Sequence, residues 1–206
     1  MRVVLASQNR AKAAEIASVL AEAGLRAEVL SLAEFPQVVL PPETADTFEE
    51  NSLAKARHVA SAIDMPSIAD DSGLEVDALH GRPGVMSARY AGEGASDADR
   101  NTKLLAELRR VAPERRSARF RCAAAYAEPD GFTLLAEGTC EGRIAESPRG
   151  EGGFGYDPIF VPEGENRTMA ELTPAEKDAI SHRGKAFRRL AEMLRERLGR
   201  VDAGLG

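Results

Sequence analysis

Two hydrophobic patterns follow one another at the start of the chain. Short continuous apolar runs predict strands, and between them apolar residues recur at helical spacing. Val3–Ala6 is an apolar run typical of a buried strand. Apolar residues then recur with a helical period at positions 16, 19 and 20, and Gly24 is a natural end for that helix. A second strand is predicted over Ala27–Leu32. The chain is therefore expected to begin as strand, polar turn, helix and strand.

The segment after a Pro-rich loop carries a clear helix start. Thr47–Glu50 has the spacing of a capping box and predicts a helix that runs to about Ile63. The next strand is predicted over Pro66–Ala69 and is expected to end at the pair Asp70–Asp71. Leu74–Leu79 either continues that strand or begins another. We hypothesise that the chain then turns at Ser72 and Gly73.

The second half of the chain adds a hairpin and further helices. Ser96 and Thr173 are predicted N-caps, and a final helix is predicted to begin near Ser181. Two strand-like runs flank Glu128–Gly131, a turn sequence typical of a hairpin. Strands and helices alternate early and a hairpin follows late, which predicts an α/β fold with a mixed sheet and flanking helices.

Composition narrows the class of protein without identifying it. The chain has 206 residues, 43% of them hydrophobic and 29% charged, which is typical of a soluble globular protein. We expect one domain over residues 1–199, with residues 200–206 as a flexible tail. Cys122 and Cys140 match no metal or redox spacing and are predicted to be buried free thiols.

Charge and hydropathy limit the kinds of partner that the protein can have and its location in the cell. The net charge of −6 argues against a general coat for nucleic acid, although a small anionic ligand needs only a local basic cluster. No apolar run is long enough to cross a bilayer. The first residues turn polar too early for a signal peptide, so a cytoplasmic location without a membrane partner is expected.

The polar turn SQNRAK lies between the first strand and the first helix. A helix N-terminus presents unpaired N–H groups and a partial positive charge, so it can bind an anion. Arg10 and Lys12 lie in that first turn, where the helix dipole disfavours cations unless an anion is bound or the side chains are exposed. A plain N-cap by Ser7 or Asn9 explains the same residues. Both interpretations stay open at this point.

Acidic residues are the second candidate constellation. Magnesium takes oxygen ligands, usually one or two carboxylates with the rest from water and phosphate. If Asp70 and Asp71 both lie on extended chain, only one of them faces a given cleft, because successive side chains point to opposite faces. The alternative is a turn closed by Asp71 with the two residues that follow it. The acidic candidates are Glu43, Glu49, Glu50, Asp70, Asp71 and Asp77.

Two further segments could contact a ligand. Phe154 lies between glycines in GGFGYDP, where an aromatic ring is poorly placed for a core but well placed to stack on a base. A tight hairpin with an incidental aromatic is the alternative. In SHRGKA, His182, Arg183 and Lys185 crowd a predicted helix start, which indicates either a polar or anionic partner or a solvated basic turn.

Five segments together resemble one family, the non-canonical purine nucleoside triphosphate pyrophosphatases of the inosine/xanthosine triphosphate group. They are SQNRAK, TFEENSLAKA, ADDSGLEVDALHGRPGVMSARYAG, FGYDPIF and SHRGKA, in the family's order from Ser7 to Ala186. Ser52 stands where many members have Ala. The resemblance implies an elongated, two-lobed α/β domain with its active site in the cleft between the lobes.

The activity that the resemblance implies is magnesium-dependent hydrolysis of dITP/ITP and XTP/dXTP. Water would attack the α-phosphorus, releasing the nucleoside monophosphate and pyrophosphate and so removing deaminated purines from the nucleotide pool. Donors aimed at a 6-oxo group would be left unpaired by adenine's 6-amino group, at a cost of roughly 1–3 kcal/mol each. The partners implied are the nucleotide and a second copy of the chain in a homodimer.

The resemblance also implies roles for single residues. Asp71 would be the general base and a magnesium ligand, with Glu43 as the other ligand and either Asp70 or Glu50 as a further acidic partner. The residues implied for the triphosphate are Ser7, Gln8, Asn9, Arg10, Ala11, Lys12, Lys55 and Ser72. Those implied for the base side are Phe154, Gly155, Tyr156, Asp157, Lys177, His182 and Arg183.

Three other functions compete with this interpretation. A different metal phosphohydrolase would release orthophosphate instead of pyrophosphate. A nucleotide-binding module would bind the same ligand and leave it intact, although such a module has no need of a general base. A structural or interaction protein would use its basic helix starts to contact protein carboxylates, and nucleotides would not protect it against unfolding.

Overall fold

The computed structural model describes residues 1–202, with side chains described through residue 199. The strands of the described part, β1 to β6, are Arg2–Leu5, Glu28–Ser31, Ser67–Val76, Ser117–Ala127, Thr133–Ile144 and Phe160–Pro162. Its α-helices, α1 to α5, are Arg10–Glu22, Phe48–Ile63, Asp97–Glu107, Pro174–Ile180 and His182–Asp202. Helix α5 thus extends past residue 199, and the last four residues of the predicted tail lie outside the described residues.

The strands form one mixed six-stranded sheet in the order β2-β1-β3-β4-β5-β6. Strand β1 pairs in parallel with β2 and with β3, where Leu5 is opposite Ile68. Strand β6 pairs antiparallel with the end of β5, where Ile144 is opposite Phe160. The predicted α/β class with a mixed sheet and flanking helices is therefore confirmed. Over residues 1–202, no helix combines the length and the hydropathy that a membrane span requires.

The chain divides into two compact units. The first comprises residues 1–71, 122–138 and 183 onward, and the second comprises residues 72–121 and 139–182. The first unit buries one apolar cluster that includes Val3 and Leu5, and another that includes Val4 and Ala6, because alternate residues of β1 point to opposite faces. Its C-terminal helix contributes Phe187 and its neighbours to the first of these clusters.

The second unit has a core of its own. It includes Leu74 and Val76 from β3, Leu104 from α3, and Phe160 from the short strand β6. Strand β6 was not predicted, because three residues are too few to show an alternating pattern. Both cysteines are buried free thiols, as predicted.

Strand β3 corrects one local expectation. The strand does not end at Asp70–Asp71 but continues for ten residues, Ser67–Val76, so the predicted turn at Ser72 and Gly73 is wrong. Of the two alternatives for the next segment, continuation of the strand is confirmed as far as Val76. The physical reason is that the extended chain places Leu74 and Val76, two residues apart on one strand face, fully buried in the core of the second unit.

The predicted helix starts are confirmed by their hydrogen bonds. The side chains of Thr47, Ser96 and Thr173 each accept from the backbone N–H three residues later, at the starts of α2, α3 and α4. Each such cap satisfies an N–H group that the helix itself cannot pair. The start of α1 is capped by Asn9. These caps fix the first turns of the helices, and the first turn of α1 carries the candidate residues Arg10 and Lys12.

Candidate active site

Asp70 and Asp71 lie on extended β3, and their side chains contact different groups. Asp70 is buried, and its Oδ1 lies 2.6 Å from Lys12 Nζ while its Oδ2 lies 3.3 Å from Arg183 Nε. Burial alone would raise the pKa of Asp70, but the charges of Lys12 and Arg183 outweigh it and hold that pKa well below its usual range. Asp70 is therefore a permanent anion neutralised by two cations.

Asp71 belongs to a second cluster, built around Lys55. Its Oδ1 lies 3.6 Å from Lys55 Nζ, and its Oδ2 accepts a hydrogen bond of 3.0 Å from Asn51 Nδ2. The same ammonium lies 2.5 Å from Glu43 Oε1 and donates to the Asp70 carbonyl at 2.8 Å. Burial raises the pKa of Asp71, the charge of Lys55 opposes that shift, and the charge of Glu43 adds to it.

Lys55 keeps its own charge in this cluster. Its burial would lower the pKa, but the charges of Asp71 and Glu43 and the hydrogen bond to Glu43 raise it above the usual value. The ammonium therefore joins the two carboxylates that the resemblance implies as metal ligands. Asn51 lies four residues before Lys55 on α2 and thus on the same helix face.

The donor chemistry of this cluster fits magnesium. Residues 1–199 contain no group of three or more His, Cys, Asp or Glu side chains arranged to hold a metal ion. Magnesium does not require such a group, since one or two carboxylates with water and phosphate suffice. Glu43 and Asp71 provide two carboxylates around one ammonium. Asp70 is already paired with Lys12 and Arg183, whereas Glu50 is exposed on the first turn of α2.

The polar turn before α1 shows how the SQNRAK segment folds. Asn9 Oδ1 accepts from the Lys12 backbone N–H at 3.1 Å, and Ser7 Oγ accepts from the Asn9 N–H at 3.3 Å. The N-cap interpretation is therefore confirmed for Asn9. Binding of an anion by the same turn stays a prediction. The side chains of this turn that remain exposed are those of Gln8, Asn9, Arg10 and Ala11.

Ser72 follows Asp71 on β3 and has an unusual hydroxyl. Its Oγ is buried and has no hydrogen-bond partner among the described residues. A buried hydroxyl without a partner costs free energy, so such groups in native proteins call for an explanation. A phosphate oxygen as acceptor would provide one, in keeping with the role implied by the resemblance.

The FGYD segment lies in the second unit and presents an aromatic ring. Phe154 is 58% exposed, and Lys177 Nζ lies 4.5 Å from the centroid of its ring. The buried carboxylate of Asp157 binds both, accepting from the Phe154 N–H at 2.8 Å and from Lys177 Nζ at 2.6 Å. The ring is therefore accessible for stacking, and a cation lies against it.

The remaining base-side candidates have different surroundings. Tyr156 is buried in the core of the second unit and donates its hydroxyl to the Ser87 carbonyl at 2.9 Å, so its side chain is held within that core. The His182 ring stacks on Phe120 with centroids 4.9 Å apart. Arg183 belongs to the first unit, where its guanidinium pairs with Asp70.

Sequence reasoning missed three residues that organise these clusters. Asn51 holds Asp71, and its position four residues before Lys55 on a predicted helix was a usable signal. Asp97 and Asn101 bind the backbone of Gly155. Nothing local in the sequence indicates that contact, because Asn101 and Gly155 lie 54 residues apart.

Comparisons with known proteins agree with the resemblance drawn from the sequence. The family model described as Ham1 family matches residues 3–193. A dITP/XTP pyrophosphatase of Streptomyces coelicolor is 50% identical over 198 residues, covering 96% of this chain and 99% of the relative. A dITP/XTP pyrophosphatase of Nocardia farcinica is 52% identical over 194 residues, covering 94% of each chain.

Solved structures of similar proteins share the fold. A HAM1 protein from Coxiella burnetii is 46% identical, with a TM-score of 0.88 over 95% of this chain and 99% of that one. The Staphylococcus aureus Ham1 protein is 40% identical, with a TM-score of 0.87 over 96% of this chain and 100% of that one. The model match, the sequence relatives and the shared fold each extend over nearly the whole chain, so this protein belongs to the Ham1 family.

Proposed function

We propose that this protein hydrolyses non-canonical purine nucleoside triphosphates, dITP/ITP and XTP/dXTP, to the monophosphate and pyrophosphate. The observation that carries the proposal is the cluster in which Lys55 joins Glu43 and Asp71 while Asn51 orients Asp71. A carboxylate held in this way can accept a proton from water. The relatives named dITP/XTP pyrophosphatase supply the substrate class.

Asp71 acts as the general base in this scheme. Asn51 holds its Oδ2, which leaves Oδ1, on the side of Lys55, for the proton of the attacking water. Glu43 and Asp71 would hold a magnesium ion, which when bound makes water more acidic and offsets phosphate charge. The charge of Lys55 opposes the rise in the pKa of Asp71 that burial causes, because an adjacent cation favours the charged form.

Other side chains bind the leaving group. Lys12 and Lys55 bring positive charge to the triphosphate, where charge develops on pyrophosphate as it leaves. The turn Ser7–Lys12 offers exposed polar groups at the start of α1, and Ser72 offers its unpaired hydroxyl. Each of these groups either donates hydrogen bonds to phosphate oxygens or offsets their charge.

Base recognition relies mainly on residues of the second unit. The exposed ring of Phe154 stacks on the purine, a contact that any base can make. Discrimination comes from donors of Lys177, His182 and Arg183 that pair with a 6-oxo group and are left unpaired by adenine. Stacking therefore provides affinity and the donors provide selectivity.

A product assay tests the proposal. The protein is given magnesium and, separately, dITP, XTP, dATP and dGTP, and pyrophosphate and orthophosphate are both quantified. Pyrophosphate from the first two, with little from the last two, is expected, and Asp71→Asn is the matched control. Orthophosphate would identify a different phosphohydrolase. Folded protein that binds dITP and releases neither product would identify a binding module.

We also propose that the protein is a homodimer and acts in the cytoplasm, as the resemblance implies. Light scattering coupled to size exclusion measures the mass in solution, and the expected mass is twice the 22.1 kDa of one chain. A monomeric mass at working concentration would contradict the first proposal. Fractionation of cells that express the protein tests the second.

A further inference from the structure

The segment Phe154–Asp157 is held at nearly every polar group it offers. The Phe154 N–H is bound by Asp157, and the Tyr156 hydroxyl is bound by the Ser87 carbonyl. The Gly155 N–H donates to Asp97 Oδ2 at 2.6 Å, and the Gly155 carbonyl accepts from Asn101 Nδ2 at 3.1 Å. All of these partners lie in the second unit. The exposed Phe154 ring is thus carried on a fixed backbone.

Both groups that bind Gly155 come from one helix end. Asp97 is the first residue of α3 and Asn101 lies four residues later, so the two share one helix face. The N-cap bond from the Asp99 backbone N–H to Ser96 Oγ fixes the first turn from which Asp97 projects. Asp97 also pairs with Arg100, which limits the rotamers open to its carboxylate. One rigid turn therefore binds both the donor and the acceptor of a single glycine.

Gly155 needs this support because of its conformation. Its φ of +62° lies in the left-handed region, and a Cβ at this position would meet nothing within 4 Å. The glycine is therefore required for its backbone angle and not for lack of space. A glycine loses more conformational freedom on ordering than other residues, so a fixed position here depends on its hydrogen bonds.

Asn101 has a feature that packing alone does not explain. It is 5% exposed, and its Oδ1 has no hydrogen-bond partner among the described residues. A buried acceptor without a partner is unfavourable, and an apolar side chain of similar size would avoid that cost. The amide is therefore present at this position for the bond that its Nδ2 makes to Gly155.

We propose that Asp97 and Asn101 are positioning residues that fix the Phe154 ring and thereby set the selectivity of the enzyme for the base. The inference rests on the proposed function. Stacking itself tolerates any purine, but the position of the ring determines where the 6-substituent of the base lies relative to its hydrogen-bonding partners. A displacement of about 1 Å in such a contact can lower kcat/KM by up to about a hundredfold.

Steady-state kinetics with dITP and dATP test the inference. Asn101→Leu removes the donor and the unpaired acceptor together, and Asp97→Ala removes the other contact. Each variant is expected to lower the ratio of kcat/KM for dITP over dATP by about tenfold, mainly through KM for dITP. The kcat for dITP should change by less than about threefold, because the Asp71 cluster is untouched. Asp97→Asn keeps an acceptor oxygen and should restore the ratio.

A neighbouring substitution separates positioning from a general weakening of the helix. Asp99→Ala removes the two bonds that the Asp99 carboxylate accepts from Ser96. It keeps the bond from its own N–H to Ser96 Oγ and both contacts to Gly155. It should lower the thermal midpoint and leave the selectivity ratio unchanged. If it lowers the ratio as much as Asp97→Ala does, the contacts to Gly155 are not the cause and the inference is overturned.

The outcomes distinguish this inference from the function on which it rests. Wild-type protein that releases no pyrophosphate from dITP overturns the proposed function, and the inference with it. The inference alone is overturned if the wild-type protein is selective and the folded variants Asn101→Leu and Asp97→Ala keep its ratio of kcat/KM for dITP over dATP within about twofold. If circular dichroism shows that one variant does not fold, the selectivity ratio of the other decides between the two outcomes.

Discussion

The two neighbouring aspartates of β3 should differ in how much the same substitution changes the stability of the protein. Asp70→Asn removes a carboxylate whose side chain is 3% exposed and leaves two cations, Lys12 and Arg183, without their shared anion. Asp71→Asn removes a carboxylate whose charged form the fold disfavours, since burial and Glu43 raise its pKa. The first substitution should therefore destabilise the protein, and the second should not.

The size of the expected loss in unfolding free energy depends on how exposed the stranded cations are. Removing one partner of a buried ion pair costs about 3–5 kcal/mol. The Lys12 side chain is 21% exposed and that of Arg183 is 14% exposed, so Lys12 can turn to water when its partner is lost. The expected loss for Asp70→Asn is therefore at the lower end, about 3 kcal/mol. For Asp71→Asn, Lys55 retains Glu43 and the Asp70 carbonyl, and we expect a change within about 1 kcal/mol.

Urea unfolding followed by circular dichroism measures both values, with a chelator present so that bound metal adds nothing to stability. A loss of about 3 kcal/mol lowers the thermal midpoint of a chain of this size by roughly 6–12 °C. In a Lys12→Met background the cost of Asp70→Asn should shrink, because one of the stranded cations is gone. Equal losses for the two aspartate variants, or a larger loss for Asp71→Asn, would refute the reasoning.

Four further predictions follow from the same contacts. Asp71→Asn should lower pyrophosphate release by at least about a hundredfold while calorimetry still detects dITP binding. A chelator should abolish turnover and added magnesium should restore it, as followed by the product assay. Bonds from the Thr173 N–H and from Arg167 lower the pKa of Glu176 from 4.5 to about 2. Its stabilisation is therefore present above pH 4.5 and is lost as the pH falls towards 2, so Glu176→Gln should flatten the acid limb of a stability–pH curve. Gly142→Ala places a Cβ against the backbone and an aromatic ring of strand β6 and should cost about 1–3 kcal/mol in thermal unfolding.

The features that could be predicted from the sequence are those fixed by local hydrogen bonds. Thr47, Ser96 and Thr173 each cap a helix through the backbone N–H three residues later, so a short pattern identifies them. The hairpin turn at residues 128–131 is equally local, with the Gly131 N–H donating to the Glu128 carbonyl. In these places the chemistry of a few adjacent residues decides the structure.

The course of β3 could not be predicted in the same way. A run of two acidic residues is unfavourable inside a sheet unless each carboxylate finds a partner. Asp70 finds Arg183, 113 residues away along the chain, as well as Lys12. The separate environments of Asp70 and Asp71 likewise follow from tertiary contacts. The alternation of strand side chains predicts only that the two aspartates face opposite sides, and not which of them faces which side.

Because β3 is continuous, it should tolerate the insertion or deletion of a residue much less well than the turns of the chain do. Side chains alternate along a strand, so inserting or deleting one residue within Ser67–Ala69 would reverse the facing of everything after it. Asp70 would then turn towards Lys55, and Asp71 towards Lys12 and Arg183, which exchanges the environments of the two carboxylates without altering either residue. Variation in length should therefore be confined to turns such as residues 128–131, and a frame-preserving insertion of one residue in β3 should abolish activity more completely than most single substitutions there.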